Sequence, residues 1–314
     1  TMTRPFRFAV QGRSFDDAEA LREHARRVES LGYDDLYSYD HTGTAAETDA
    51  TDLVDPFVPL IVAAEATERL RIGPLVLNNE FHQPVLLART AATVDRMTGG
   101  RLVLGIGTGY DENEHDAIGS PIRPPGARVT RFAESLQVLR SLLDTGTADV
   151  DGEHEQVHVG GLGVRPIQEH VPFLIGGHGR RVVGLAGRFA DIFQFTGLTH
   201  GERGAPSGGG FALADLVERS RWLEEAAGDR HDDIERSALV QFTHLGNDAP
   251  TAQDLSDRFH LPADIIEDAP FALFGSLERV VDEIERHRET LGITHYVVRD
   301  ADGFAPVVAA LTGR

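Results

Sequence analysis

Four short stretches of this chain bring together residues that can do chemistry. The first is Asp40-His41, at the end of a run rich in Tyr and Leu. A carboxylate beside an imidazole can orient the ring and tune it as an acid or base near neutral pH. An isolated histidine is also often structural, so these residues alone leave both readings open. The second stretch, Gly176-Gly177-His178-Gly179-Arg180-Arg181, places glycines and two arginines at the start of a helical pattern. Backbone amides at a helix N-terminus suit a phosphate, and arginines add to that; a flexible loop with solvated arginines is the plain alternative. The third, Gly105-Ile106-Gly107-Thr108-Gly109, follows a strand as a dinucleotide fingerprint does. That motif needs a third glycine where this chain has Tyr110, and a helix that starts at once. A backbone lying close to a flat ligand and an ordinary tight turn both fit. The fourth, His154-Glu155-Gln156-Val157-His158, spells the zinc-protease pattern H-E-x-x-H. Its chemistry requires a helix, whereas Asp151-Gly152 and Gly160-Gly161 on either side mark turns. In an extended strand the two imidazoles stand roughly 13 Å apart, too far to share a zinc. This segment reads as a solvated hairpin.

The composition removes several reaction classes. There is no cysteine, which excludes disulfides, thiolate nucleophiles, iron–sulfur clusters and cysteine-ligated zinc. Every one of the 30 basic residues is arginine. Without lysine there is no Schiff base, and so no Schiff-base aldolase or pyridoxal chemistry. The formal charge of −20 opposes nucleic acid and anionic membranes, and any anionic ligand must be held by a local arrangement of arginines and backbone amides. The 14 histidines show no metal-ligand spacing. No apolar run approaches a membrane span, and residues 1–13 lack the apolar core of a secretory signal. Thr1 ahead of Met2 reads as an added residue, and the chain reads as cytoplasmic.

The elements that must position these residues follow from hydrophobic period. Strand patterns fall at residues 6–11, 35–39, 70–77, 102–106, 173–175, 191–195, 237–245 and 295–299. Helical patterns fall at 16–31, 56–66, from Pro84 to the Gly99-Gly100 stop, and at 129–143, 180–189, 212–227, 277–291 and 304–311. An irregular excursion spans 145–168, and a Gly/Ser-rich loop spans 197–210. Eight strand–helix alternations without a domain-separating linker predict one α/β domain over residues 1–314, a single (β/α)8 TIM barrel with insertions. A doubly wound sheet plus a second domain is the rival. In a barrel the catalytic groups sit at the C-terminal strand ends. That rule selects Gln11, Asp40-His41, Leu77-Asn78, Gly107 to Tyr110, Gly176 to His178, Thr196 and His244.

Taken together, the motifs resemble the luciferase-like monooxygenase family of flavin and coenzyme F420-dependent oxidoreductases. The stretches that carry the resemblance are Gly32-Tyr33-Asp34 through Asp40-His41, residues 97–110, Leu174 to His178, and Ala186 to Asp191. The similarity is greatest to members that use the deazaflavin coenzyme F420, with flavin mononucleotide (FMN) as the alternative cofactor. The resemblance implies that Asp40 contacts the deazaflavin ring and that His41 is the acid/base. It also implies a non-proline cis peptide bulge, expected at Pro74-Leu75, and a ring contact at Asn113. Gly176, Gly177, His178, Thr196 and Gly197 match the phosphate-side loops. Gln11 and Tyr110 are assigned to a substrate pocket lined by residues 42–51, 110–122 and 197–210. Sugar-phosphate dehydrogenases of the family have a Trp where this chain has Ala45 and a Glu where it has Tyr110, so the resemblance does not extend to that substrate.

The activity so implied is hydride transfer between the deazaflavin and a small organic substrate. An FMN-dependent monooxygenase on the same barrel is the nearest rival. A metal-dependent barrel hydrolase would rely on Asp40, His41 and His244 as ligands, and a non-catalytic flavin-binding relative would bind without turnover. The sequence is compatible with a homodimer but does not specify one.

Overall fold

A computed structural model describes residues 4–12, 17–42, 54–200 and 206–314. In chain order the elements are β1 (Arg7–Gln11), α1 (Ala18–Ser30), β2 (Asp35–Ser38), α2 (Val58–Glu65), β3 (Arg71–Pro74), β4 (Leu77–Asn78), α3 (Pro84–Met97), β5 (Leu104–Gly107), α4 (Glu112–Ala117) and α5 (Pro125–Thr145). Next come β6 (Ala148–Asp151), β7 (Gln156–Val159), β8 (Phe173–Gly176), α6 (Arg180–Phe189), β9 (Ile192–Phe195), β10 (Thr199–His200), β11 (Pro206–Ser207) and α7 (Leu213–Ala227). The rest are β12 (Glu235–Leu239), β13 (Phe242–Leu245), α8 (Ala252–Phe259), α9 (Ala263–Asp268), β14 (Ala272–Gly275), α10 (Leu277–Leu291), β15 (Ile293–Val298) and α11 (Ala301–Leu311).

Nine strands form one sheet in the order β3-β2-β1-β15-β12-β9-β8-β5-β4. β3 and β4 are two pieces of one interrupted strand, so the order begins and ends on the same strand. Each of the eight strand regions read from the sequence therefore contributes to this sheet, the seventh only through its first residues, and the registered pairs among them are parallel. Such strands are buried on both faces, which is why Leu104–Gly107 and Ile192–Phe195 read as near-continuous apolar runs. Gly105 is required by that packing: a Cβ there would lie 2.0 Å from the Pro74 carbonyl oxygen. This explains one glycine of the Gly105–Gly109 run without a ligand.

The chain divides into two compact units, residues 1–11, 27–36 and 176–314 in one, and 12–26 and 37–175 in the other. In the first unit, a buried polar cluster joins the N-terminal strand ends. Arg7 pairs with Asp35 and, at 2.7 Å, with Glu235; His295 bridges Asp35 at 3.1 Å and Ser237 at 2.9 Å. Each charge has a partner, which is what makes burial tolerable. At that end of a barrel such residues serve stability.

The same unit differs from the sequence reading at residues 237–245. This is not one strand. β12 belongs to the large sheet, while β13 pairs only with β14 in a separate two-stranded sheet. The connection between them carries α8 and α9, whose apolar side chains Leu255 and Ile266 pack with Phe274 in a satellite core. A Thr251–Asp254 capping box starts α8. His244 therefore lies in the small sheet, is 40% exposed and faces Asp248 at 3.3 Å. Its place at a strand end of the large sheet is corrected.

In the second unit, residues 145–168 contain the antiparallel hairpin β6–β7. The H-E-x-x-H segment crosses its turn and second strand, as expected from the flanking glycines. Glu134 of α5 caps the turn, accepting the amides of Glu153, His154 and Glu155 at 2.8 Å each. Glu155 pairs with the buried Arg131 at 2.8 Å. His158 is 61% exposed and faces Asp149. The motif is structural.

Candidate active site

Asp40 and His41 follow directly on β2, yet they do not orient each other. Neighbours along an extended chain point to opposite sides, and each finds a partner distant in sequence. One Asp40 carboxylate oxygen accepts the Asn78 amide at 2.8 Å and His82 Nε2–H at 2.9 Å. His41 Nδ1 donates instead to Glu114 Oε1 at 2.9 Å, and the same oxygen accepts the Thr42 amide at 3.1 Å. The sequence offers an Asp-His pair; the fold provides Asp40–His82 and Glu114–His41.

Glu114 is 4% exposed, and its position is fixed through the next residue of α4. His115 is also buried; its Nδ1–H donates to the Ser120 carbonyl at 2.8 Å, which leaves Nε2 to accept from the Asn78 side chain at 3.1 Å. These two bonds assign a single neutral tautomer from the network. Phe81 packs on the His115 ring with centroids 4.7 Å apart. The other end of the Asn78 amide accepts from Glu80 N at 3.0 Å. Asn78 thus touches both sides of the site: its backbone holds Asp40 and its side chain anchors α4. Gly109, at φ +75°, lets the chain pass this amide, since a Cβ would lie 2.0 Å from Asn78 Oδ1.

Electrostatics follow from this geometry. Burial disfavours the His41 cation, but the Glu114 hydrogen bond and charge, with Asp40 and Asp111, outweigh it and raise the His41 pKa above its ordinary value. Nδ1 is committed to Glu114, and among the described residues Nε2 has no hydrogen-bond partner. In the imidazolium form its Nε2–H is open to a ligand, and in the neutral form its lone pair is. The Tyr110 ring meets His41 edge-on at 6.1 Å, and Tyr39 lies 6.5 Å away. Burial, then Glu114 and Asp111, push the Tyr110 phenol up to about 12, so it stays neutral.

The remaining expected residues fall as follows. The cis peptide is Leu75–Val76, one bond beyond the expected Pro74-Leu75. Leu75 donates to the Ser38 carbonyl at 2.9 Å. Asn113 lies on α4 beside Glu114 and is exposed. Gln11 ends β1 and is buried. Of the expected pocket, residues 43–51, including Ala45, and 201–205 lie outside the described residues.

The first unit holds the other cluster. Gly176 ends β8, Gly177 and His178 follow, and His178 Nε2–H is shared by Leu198 O and Thr196 Oγ1, each at 2.8 Å. Thr196 and Gly197 follow β9. His178 thereby ties the two loops together. Burial and the neighbouring Arg219 lower its pKa to about 4, so it is a neutral strut and not a cation for a phosphate. Arg180 faces Glu225 at 3.3 Å on the surface.

The luciferase-like monooxygenase family model matches residues 2–269. The chain belongs to that family. An uncharacterized protein of Mycobacterium tuberculosis is 31% identical over 170 residues, 49% of this chain and 59% of the relative. The chain thus spans less than two thirds of that protein's length. An F420-dependent glucose-6-phosphate dehydrogenase of Intrasporangium calvum is 28% identical over 274 residues, 84% of this chain and 77% of the relative. Among solved structures, the coenzyme F420-dependent tetrahydromethanopterin reductase of Methanopyrus kandleri superposes with a TM-score of 0.74 at 20% identity, covering 98% of both chains. A riboflavin lyase solved with modified FMN gives 0.76 at 16% identity, covering 98% of this chain and 91% of that one. At these identities the structures speak for the fold: it is the α/β barrel of luciferase-like enzymes. Asn78 was selected as a strand-end residue, and Glu114 and His115 fall in the expected pocket stretch 110–122 without being singled out, whereas His82 escaped the sequence reading.

Among the described residues, no group of three or more His, Asp or Glu could hold a metal ion, and no helix is long and apolar enough to cross a membrane.

Proposed function

We propose that this chain is an oxidoreductase that moves a hydride between a coenzyme F420-type deazaflavin and a small organic substrate, with His41 carrying the accompanying proton. The observation that supports this most is the Glu114–His41 pair. Glu114 holds Nδ1, favours the imidazolium, and leaves the Nε2 proton open. When bound, the deazaflavin would supply the hydride chemistry, and the protein supplies position and exclusion of water. Asp40, fixed by Asn78 and His82, would hold the ring side, with Leu75 and Asn113 as further contacts. Gly176, Gly177, Thr196 and Gly197 would hold the phosphate side, with His178 bracing them. Gln11 and the neutral Tyr110 would line the substrate pocket. Tyr110 in place of a carboxylate weighs against a sugar phosphate as the substrate.

The F420-named relative that spans most of the chain favours deazaflavin over FMN. The family's monooxygenases make an FMN enzyme the second reading. Fluorescence titration with each cofactor separates them, with F420 expected to bind the more tightly. His41→Ala should then lower turnover about 100- to 10,000-fold, the usual weight of a general acid, while affinity for the cofactor stays within a few fold. Binding of FMN alone, or unchanged turnover, would overturn the assignment.

A further inference from the structure

Arg219, on α7, is 3% exposed, and among the described residues it forms no ion pair. Its guanidinium is instead wrapped in neutral acceptors. Nε donates to Asp215 O at 3.2 Å, Nη1 to His178 Nδ1 and Thr196 O at 3.1 Å each, and Nη2 to Gly210 O at 2.6 Å. Buried charges in proteins are normally matched by an opposite charge. Burial lowers the Arg219 pKa only to about 10, with Asp215 opposing the shift, so the cation persists at neutral pH. The polar contacts are satisfied, but the only opposing charge that acts on Arg219 is the exposed Asp215, which forms no ion pair with it.

Two consequences follow for the loops in front of it. Because Arg219 donates to His178 Nδ1, that nitrogen carries a lone pair and the proton sits on Nε2, where Leu198 O and Thr196 Oγ1 accept it. One imidazole state is thus enforced. The Thr196 carbonyl turns toward Arg219, and a trans peptide then directs the Gly197 N–H to the opposite side. That amide has no partner among the described residues. An oriented donor therefore stands in front of a buried positive charge that no ion pair among the described residues neutralises.

We propose that Arg219 is the positioning residue of the phosphate-binding loops, fixing His178 and the Thr196–Gly197 peptide from behind and supplying the positive charge that a phosphate-bearing ligand completes. The proposal rests on the cofactor reading above, and its test reads binding rather than turnover. Two probe pairs serve: F420 against its phosphate-free deazariboflavin core, and FMN against riboflavin. Arg219→Gln should weaken binding of the phosphate-bearing member of a pair by roughly tenfold or more, while the phosphate-free member changes little. Arg219→Lys, which keeps the charge, should retain most of the preference. Equal losses for both members, or equal losses of preference in the Gln and Lys variants, would reduce Arg219 to a clamp and overturn the proposal. The unaltered protein gives a second measurement that does not depend on a variant folding. Buried charge is screened little, so the preference should persist in about 1 M salt; its disappearance would assign the preference to exposed arginines and overturn the proposal. Failure of the unaltered protein to bind any of the four molecules would instead overturn the cofactor reading, and this inference with it.

Discussion

At the scale of the residue, the decisive contact joins His41 to a carboxylate 73 positions away. Burial alone would lower the His41 pKa, and Glu114 reverses that. A proton donor works below its pKa, so in the role proposed for His41 the reaction direction in which it would give up a proton should weaken as pH rises through that raised value. Glu114→Gln removes the carboxylate charge and leaves burial in place. The alkaline limb of kcat/KM should then move to lower pH, together with the NMR titration of His41. An unmoved limb in a folded variant would separate His41 from the reaction's proton. His41 was legible from its place after a strand, but its partner was not. Glu114 sits in a run of four carboxylates, Asp111, Glu112, Glu114 and Asp116, of which only it is buried. Nothing local to the sequence distinguishes the one that turns inward, because the reason lies in His115 and its long-range bond to Asn78.

At the scale of the element, the long helices were readable because their burial is periodic, and the strands because they are short, nearly continuous apolar runs. Pro84 at the start of α3, Ser276 capping α10, and Gly292 closing it mark their helices locally. The six-residue helix α4 carries no apolar stripe, and its stabilising contacts come from Asn78 and Phe81, so the period missed it. β13 runs on from β12 in the sequence as one strand-like stretch and joins another sheet in space, which periodicity cannot distinguish. The β6–β7 hairpin gives the sharpest element-scale prediction. Arg131, on α5, binds the carbonyls of Asn79 and His82 at 2.6 and 2.8 Å and pairs with Glu155, so the hairpin backs the turn that delivers His82 to Asp40. Arg131→Ala leaves Glu155 buried and unpaired and should cost about 3–5 kcal/mol of stability in denaturant titration. His158→Ala, at an exposed site, should change neither stability nor activity. A loss of activity there without a loss of stability would reopen a chemical role for the motif.

At the scale of the whole molecule, the absence of lysine and cysteine and the repeated strand–helix pattern sufficed for the fold class and for excluding several chemistries. The same composition imposes a condition on binding. At a formal charge of −20, a phosphate-bearing cofactor of the proposed kind would meet repulsion before it reached any local donor. Salt shortens the screening length from about 30 Å at 0.01 M to about 3 Å at 1 M, so raising it should remove the long-range barrier first. The association rate of F420 or FMN, followed by stopped-flow fluorescence, should therefore rise with ionic strength, opposite to the usual behaviour of an anion binding a basic cleft. Under the proposed binding mode dissociation should change much less, because it would depend on short contacts around the Gly176–His178 and Thr196–Gly197 loops and on the buried Arg219. A rate that falls with salt would mean that surface arginines such as Arg180 and Arg181 focus the field locally and steer the anion in. The net charge would then govern solubility while a small basic patch governs capture. If the rate rises instead, the acidic surface acts as a kinetic filter, and the affinity for an anion resides in donors too buried for salt to reach.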